Sequence, residues 1–271
     1  MSDLWAGYVA DMAGRRILER MEFSAKAILP TFGHLEADQV TVDQCRKHTD
    51  RRRKQGVGNG TIHTELGHLS NVLSWAHKRR LIKHRVHIER PAPPDSPDVY
   101  VTREEVRRML ACDLAPHITV AIHLLIGTGA RKEAALQLTW AQVNFDIGLI
   151  DLRRIDEIRR KGRATVPMTN TLRAVLQTAK EAALTPHVVE YAGRPVKNIR
   201  RGLARAGTLI GRDDITAHVF RRSAARWMAE DGVPMDQIAQ FLGHSDSRIT
   251  ERKYARFSPT HLRGAATALE I

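Results

Sequence analysis

Four prolines fall within seven residues at Pro91-Ala92-Pro93-Pro94-Asp95-Ser96-Pro97. Proline locks φ, lacks a backbone N–H and clashes with the preceding turn, so no helix runs through such a stretch. Residues 91–98 therefore read as an extended, fairly stiff linker. The chain is divided into residues 1–90 and residues 99–271, each long enough to hold its own core.

Before the linker the apolar pattern is helical. Leu66, Leu69, Leu73 and Trp75-Ala76 recur at helical spacing after Thr61. Gly56-Val57-Gly58-Asn59-Gly60 breaks that helix from an earlier one, and Pro30, Phe32 and Gly33 mark the end of another. Residues 1–90 thus read as an all-helical bundle of about four helices. After the linker, Thr102-Arg103-Glu104-Glu105 fits a capping box, in which Thr102 accepts from the amide three residues on and Glu105 reaches back. His117 to Ile126 is an apolar run of helix length, turned by Gly127-Thr128-Gly129, and Arg131 opens the next helix. Leu149–Leu152 and Ala164–Pro167 read as strands, with Arg159-Arg160-Lys161-Gly162-Arg163 at the tip between them. The remainder is helical again: Thr216 can cap a helix reaching about Glu230, and Pro234 starts another that Gly243 ends. The expected fold class is mainly α with a small antiparallel β-sheet.

Charge narrows the partner. Lys plus Arg number 43 against 30 Asp plus Glu, a net charge of +13. Residues 1–90 carry 16 basic and 10 acidic side chains and residues 91–271 carry 27 and 20, so the excess is spread over both parts. A polyanion such as DNA is the natural partner, because each neutralised phosphate releases counterions. No run approaches the roughly 18 apolar residues of a membrane span, and Met1 to Ala10 lacks the pattern of a signal peptide. Cys45 and Cys112 lie far apart with no neighbouring ligand pattern, which speaks against a disulfide framework or zinc site and fits a reducing cytoplasm. No His-x-x-x-His or Cys-x-x-Cys pair supports a metal enzyme among the 13 histidines and two cysteines.

A phosphodiester transfer without metal needs a clamp for the charge on the nonbridging oxygens, which planar guanidinium groups match in pairs. It needs a nucleophile, for which tyrosine serves, and an acid for the leaving oxygen, for which Lys or His serves. The C-terminal part presents such groups in order. Arg131 follows the turn Thr128-Gly129-Ala130 at a helix start, Lys161 sits at the hairpin tip, and His218 and Arg221 stand three apart on one helix face. Leu242-Gly243-His244 ends a helix with a histidine, and Tyr254 follows ten residues later. His-x-x-Arg alone is weak, since it also occurs at His48/Arg51, His77/Arg80 and His87/Arg90. Only the His218/Arg221 pair is followed by Leu-Gly-His and a tyrosine.

The combination resembles the tyrosine recombinases, the family of phage integrases and chromosome-dimer resolvases. It rests on Thr128-Gly129-Ala130-Arg131-Lys132-Glu133 with Leu138-Thr139-Trp140, on His218-x-x-Arg221, and on Leu242-Gly243-His244 with Thr250 and Tyr254. The resemblance implies a catalytic domain from about Val101 to Pro259, with the bundle before the linker as a DNA-binding core-binding domain. It implies that Arg131 and Arg221 hold the scissile phosphate of double-stranded DNA and that Tyr254 attacks it, giving a 3′-phosphotyrosine and a free 5′ hydroxyl. Lys161 would protonate the leaving oxygen, His218 would help move the tyrosine proton, and His244 would hydrogen-bond the phosphate. The resemblance further implies no metal or nucleotide cofactor and a homo-tetramer on DNA, with integration or excision of a phage or mobile element as the setting. Accessory DNA-bending proteins stay open. The tail after Pro259, with Leu262, Ala265-Ala266 and Leu269 on one helical face, could dock on a neighbouring protomer or on its own domain.

The sequence departs from the family pattern in two places. Ala134 stands three positions after the first arginine, where many members carry an acidic residue, and Val219 and Phe220 fill the middle of the His-x-x-Arg motif. Arg159 and Arg160 neighbour Lys161 on the hairpin; Lys161 is preferred because arginine gives up a proton far less readily. Two other readings remain: a non-catalytic DNA-binding accessory protein, and a DNA-relaxing enzyme like the type IB topoisomerases. The chain begins almost at its first helix, so a separate arm-site-binding domain is not expected.

Overall fold

The computed structural model describes residues 1–15, 17–94, 98–153 and 164–243. The chain forms two compact units, Met1–Pro97 and Asp98–Ile271.

The first unit is built from α1 (Ser2–Asp11), α2 (Ile17–Phe32), α3 (Val42–Lys54) and α4 (Asn59–Lys78), with a short 3₁₀ turn at Ala37–Gln39. Trp5 and Tyr8 of α1, Met21, Ile28 and Phe32 of α2, and Ile62, Leu66, Leu69 and Leu73 of α4 form its core. The helical spacing along α4 is what places these side chains on one stripe. Thr41 caps α3 by accepting from the Gln44 amide at 3.4 Å.

Polar groups also enter this core. Arg52 reaches Glu65 with two hydrogen bonds, of 3.0 and 2.7 Å. His48 lies 3.3 Å from the same carboxylate on one side and 3.2 Å from the Thr31 hydroxyl on the other. His68 meets the Ser24 hydroxyl at 2.7 Å. Burial holds the His48 and His68 imidazoles below their usual pKa range; for His48 the attraction of Glu65 is outweighed by desolvation.

The second unit is organised around α6 (Pro116–Thr128). Ile118, Ala121, Ile122, Leu124 and Leu125 are all buried, and a helix apolar on nearly every side must be wrapped by others. α7 (Lys132–Leu136), α8 (Asn170–Glu181), α9 (Arg200–Thr208) and α10 (Ala217–Glu230) pack on it, and α11 (Met235–Leu242) packs on α10. α5 (Arg103–Leu110) enters through the expected capping box, with Glu105 N donating to Thr102 Oγ1 at 3.1 Å and Thr102 N donating to Glu105 Oε2 at 2.7 Å.

The sheet has three antiparallel strands in the order β1 (Val143–Asn144), β2 (Leu149–Asp151), β3 (Thr165–Pro167), with Ile150 opposite both Val143 and Val166. A separate hairpin pairs β4 (Glu190–Tyr191) with β5 (Arg194–Pro195). Asn144 makes the turn into β2 by accepting from the amides of Asp146 and Ile147. Strands this short carry almost no alternation, and β1, β4 and β5 were not expected from the sequence pattern. No helix among the described residues is long and apolar enough to cross a membrane.

Candidate active site

The site is assembled around the start of α10. Arg221, one turn into that helix, is 3% exposed. Its guanidinium donates to Gly129 O at 2.7 Å and to Leu242 O at 2.9 Å. Both acceptors are helix-terminal carbonyls: Gly129 is the C-cap of α6 at φ 59°, and Leu242 is the last residue of α11 before Gly243 at φ 65°. Helix ends leave carbonyls without intrahelical partners, and here one arginine takes up one from each helix. The left-handed glycines allow both chains to turn away while those carbonyls face Arg221.

Gly129 also packs closely against the tip of a side chain. A Cβ placed there would stand 2.6 Å from Leu242 Cδ2. The turn that carries Arg131 is thus seated directly against the end of α11. Thr128, buried, holds the turn from within: its hydroxyl accepts from Ala130 N at 3.2 Å and donates to Leu124 O. Arg131 follows as the N-cap of α7 and is exposed.

α10 is anchored on its opposite face by the segment leaving the linker. Val101 N donates to Ser223 Oγ at 2.8 Å, and Trp227 Nε1 donates to Val101 O at 3.1 Å. The Arg226 guanidinium lies 3.7 Å over the Tyr100 ring and donates to Glu230 at 2.9 Å. These contacts fix the rotation of the helix that carries His218 and Arg221.

A cavity of about 390 Å³ opens at this point. It is lined by Ala130, Arg131 and Lys132 from the α7 start, by Ile199 and Arg200 from the α9 start, and by Thr216, Ala217, His218 and Arg221 from the α10 start. Thr216 is the N-cap of α10 as expected, but its side chain makes no capping bond; it lines the cavity instead. The Arg131 side chain makes no capping bond at the start of α7 either. Exposed helix N-termini carry partial positive charge and N–H groups suited to anions.

Of the residues singled out by sequence, Arg131, His218 and Arg221 come together around this one cavity. Lys161, His244 and Tyr254 lie outside the described residues, as does the tail after Pro259. Lys132 and Arg200, to which the sequence pattern assigns no role, also line the cavity. For Arg200 there was a signal: Lys197-Asn198-Ile199-Arg200-Arg201 is a basic cluster with an asparagine suited to a helix start, and Arg200 N donates to Asn198 Oδ1 at 2.9 Å. No group of three or more His, Cys, Asp or Glu side chains among the described residues is placed to hold a metal ion.

The model of the phage integrase family matches residues 100–261. The tyrosine recombinase XerA of Thermococcus kodakarensis is 29% identical over 185 residues, a match covering 65% of this chain and 64% of that protein. The integrase of Salmonella phage P22 is 21% identical over 279 residues, covering 95% of this chain and 70% of that one. Among solved structures, the Tn1549 transposon integrase in complex with transposon right-end DNA superposes with a TM-score of 0.82 at 16% identity, covering 99% of this chain and 98% of that chain. A lambda integrase dimer bound to a COC′ core site gives 0.73 at 16% identity, covering 93% and 76%. At these identities the structures speak for the fold; the family model, which covers more than half of the sequence, speaks for descent. The chain belongs to the phage integrase family.

Proposed function

We propose that this protein is a site-specific DNA recombinase that breaks and rejoins double-stranded DNA through a covalent tyrosine intermediate, in the integration or excision of a phage or other mobile element. The observation that carries this reading is the cavity in which Arg131, His218 and Arg221 meet, with Arg221 held by two backbone carbonyls. A guanidinium fixed before substrate arrives needs no reorganisation when charge develops on a phosphate.

In this account Arg131 and Arg221 bind the nonbridging oxygens of the scissile phosphate. The Tyr254 hydroxyl attacks phosphorus and the bond to the 5′ oxygen breaks. The tyrosine proton leaves with help from His218, and the leaving 5′ oxygen takes a proton from Lys161. His244 hydrogen-bonds the phosphate. One phosphoester bond forms for each that breaks, so rejoining by a 5′ hydroxyl needs no nucleotide and no metal. The residues 1–90 bundle serves as a second DNA-binding domain, and strand exchange takes place in a homo-tetramer on DNA. The DNA-bound integrase structures similar in fold support that partner.

The test is covalent trapping. The protein is incubated in EDTA, without ATP, with nicked duplexes covering the DNA that flanks its gene, and analysed on denaturing gels. A protein–DNA adduct that persists in EDTA is expected. Cleavage abolished by EDTA would replace this reading with a metal-dependent nuclease.

A further inference from the structure

The cavity holds more positive charge than one phosphate needs. Among the described residues, Arg131, Lys132, Arg200 and Arg221 line it with one carboxylate, Glu133. Glu133 is already within 3.2 Å of Lys132. A phosphodiester brings one negative charge, and the clamp proposed above is complete with Arg131 and Arg221. Arg200 comes from a different helix and is exposed at the cavity.

Its placement is built into the packing. α9 lies on α6 where Gly202 meets Ile118; a Cβ on Gly202 would stand 2.2 Å from Ile118 Cδ1. Glycine is what permits this approach, and the approach sets the first residue of α9 at the cavity. Ile199, immediately before Arg200, is 1% exposed and anchors the helix start in the core. Arg200 is therefore a cation on a seated backbone rather than on a loose loop.

We propose that Arg200 binds a second DNA phosphate, neighbouring the scissile one, and so sets the register of the strand in the cavity. The proposal rests on the recombinase reading above. It assigns Arg200 to DNA positioning rather than to chemistry, and it makes Arg131 and Arg200 serve two different phosphates.

The counterions released on binding count the phosphates neutralised, at a slope of roughly 0.9 in log affinity against log salt for each. The probe is a 30-base-pair duplex of mixed sequence, bound to the full chain at several salt concentrations. Arg200→Gln is expected to lower the slope by about 0.9, and by about 0.9 again when made on top of Arg131→Gln, whereas Arg131→Gln alone lowers it by less because Arg221 keeps the scissile phosphate paired. Arg200→Lys, which keeps the charge, should restore the wild-type slope.

An unchanged slope in Arg200→Gln overturns the proposal. So does a double variant no lower than Arg131→Gln alone, because the two arginines would then share one phosphate. Failure of Arg200→Lys to restore the slope also overturns it, as the loss would be structural. If Arg200→Gln lowers the slope but no covalent adduct forms in the trapping assay, Arg200 keeps its phosphate while the recombinase reading fails, so the two readings fail separately. A change in preferred sequence across a randomised duplex pool, with no change in slope, would make Arg200 a reader of bases and overturn the proposal.

Discussion

The Arg221 guanidinium donates to the Gly129 carbonyl at 2.7 Å across 92 residues of sequence, and both groups are buried. That bond ties the His-x-x-Arg helix to the turn that presents Arg131. Substituting Gly129 strains it from both sides. The residue sits at φ 59°, and a Cβ would meet Leu242, whose own carbonyl is the second acceptor of Arg221. Gly129→Ala is expected to cost about 1–3 kcal/mol from the left-handed backbone and the contact together. Urea unfolding measures this, and adduct formation should fall with it. Wild-type stability and activity in that variant would contradict the role given to the turn.

Arg131 and Arg221 should behave differently in stability although both are assigned to the same phosphate. Arg221→Ala leaves two buried carbonyls without their donor, a cost of roughly 2–3 kcal/mol. Arg131 is exposed, so Arg131→Ala should change stability by less than about 0.5 kcal/mol. Both should lose at least about 3 kcal/mol of transition-state stabilisation in DNA cleavage. Thermal melts beside single-turnover cleavage assays separate the two effects.

The same contrast shows what the sequence could and could not reveal. The order Arg131, His218, Arg221 was legible because its signals are local in sequence: Arg131 follows the Gly129 turn, and His218-x-x-Arg221 is followed by Leu-Gly-His and a tyrosine. The capping box at Thr102 and the end of α11 at Gly243 were legible for the same reason. The three-strand sheet was only partly so, since β1 has two residues and no alternation to read. For Arg200 the sequence offers only the basic cluster around it; its seat at the cavity depends on Gly202 lying against Ile118, a contact between residues 84 positions apart. The exposure of Thr216 to the cavity, in place of a capping bond, is likewise a tertiary fact.

Stability should fall in mild acid. Burial holds His48, His68, His117 and His123 below the ordinary imidazole pKa. The unfolded chain takes up protons near pH 6.5 and the folded chain resists them. Stability contributed by these groups is therefore complete above that pH and is lost as pH falls through it toward the lowered folded values. The urea midpoint at pH 5.5 should lie below that at pH 7.5, and His68→Gln should reduce the difference. Equal midpoints would contradict the burial of these imidazoles.

The Glu65 carboxylate joins α3 to α4 through Arg52 and His48. Glu65→Gln keeps the volume and removes the charge. It leaves Arg52 and His48 in the bundle without their acidic partner, and should cost roughly 2–3 kcal/mol, less than a fully buried pair because Arg52 is partly solvated. Urea unfolding of the full chain measures it; a loss below about 0.5 kcal/mol, the range of ordinary surface changes, would show the network to be dispensable.

Attack on DNA by a tyrosine, supported by the arginine cavity, leaves that tyrosine joined to the cut strand. The direct measurement is the identity of the residue joined to DNA in the trapped adduct, by peptide mapping, together with the behaviour of Tyr254→Phe. A linkage at Tyr254 is expected, and a Tyr254→Phe protein that still binds the duplex but forms no adduct. An adduct mapped to another residue, or one that persists in Tyr254→Phe, would contradict attack by Tyr254.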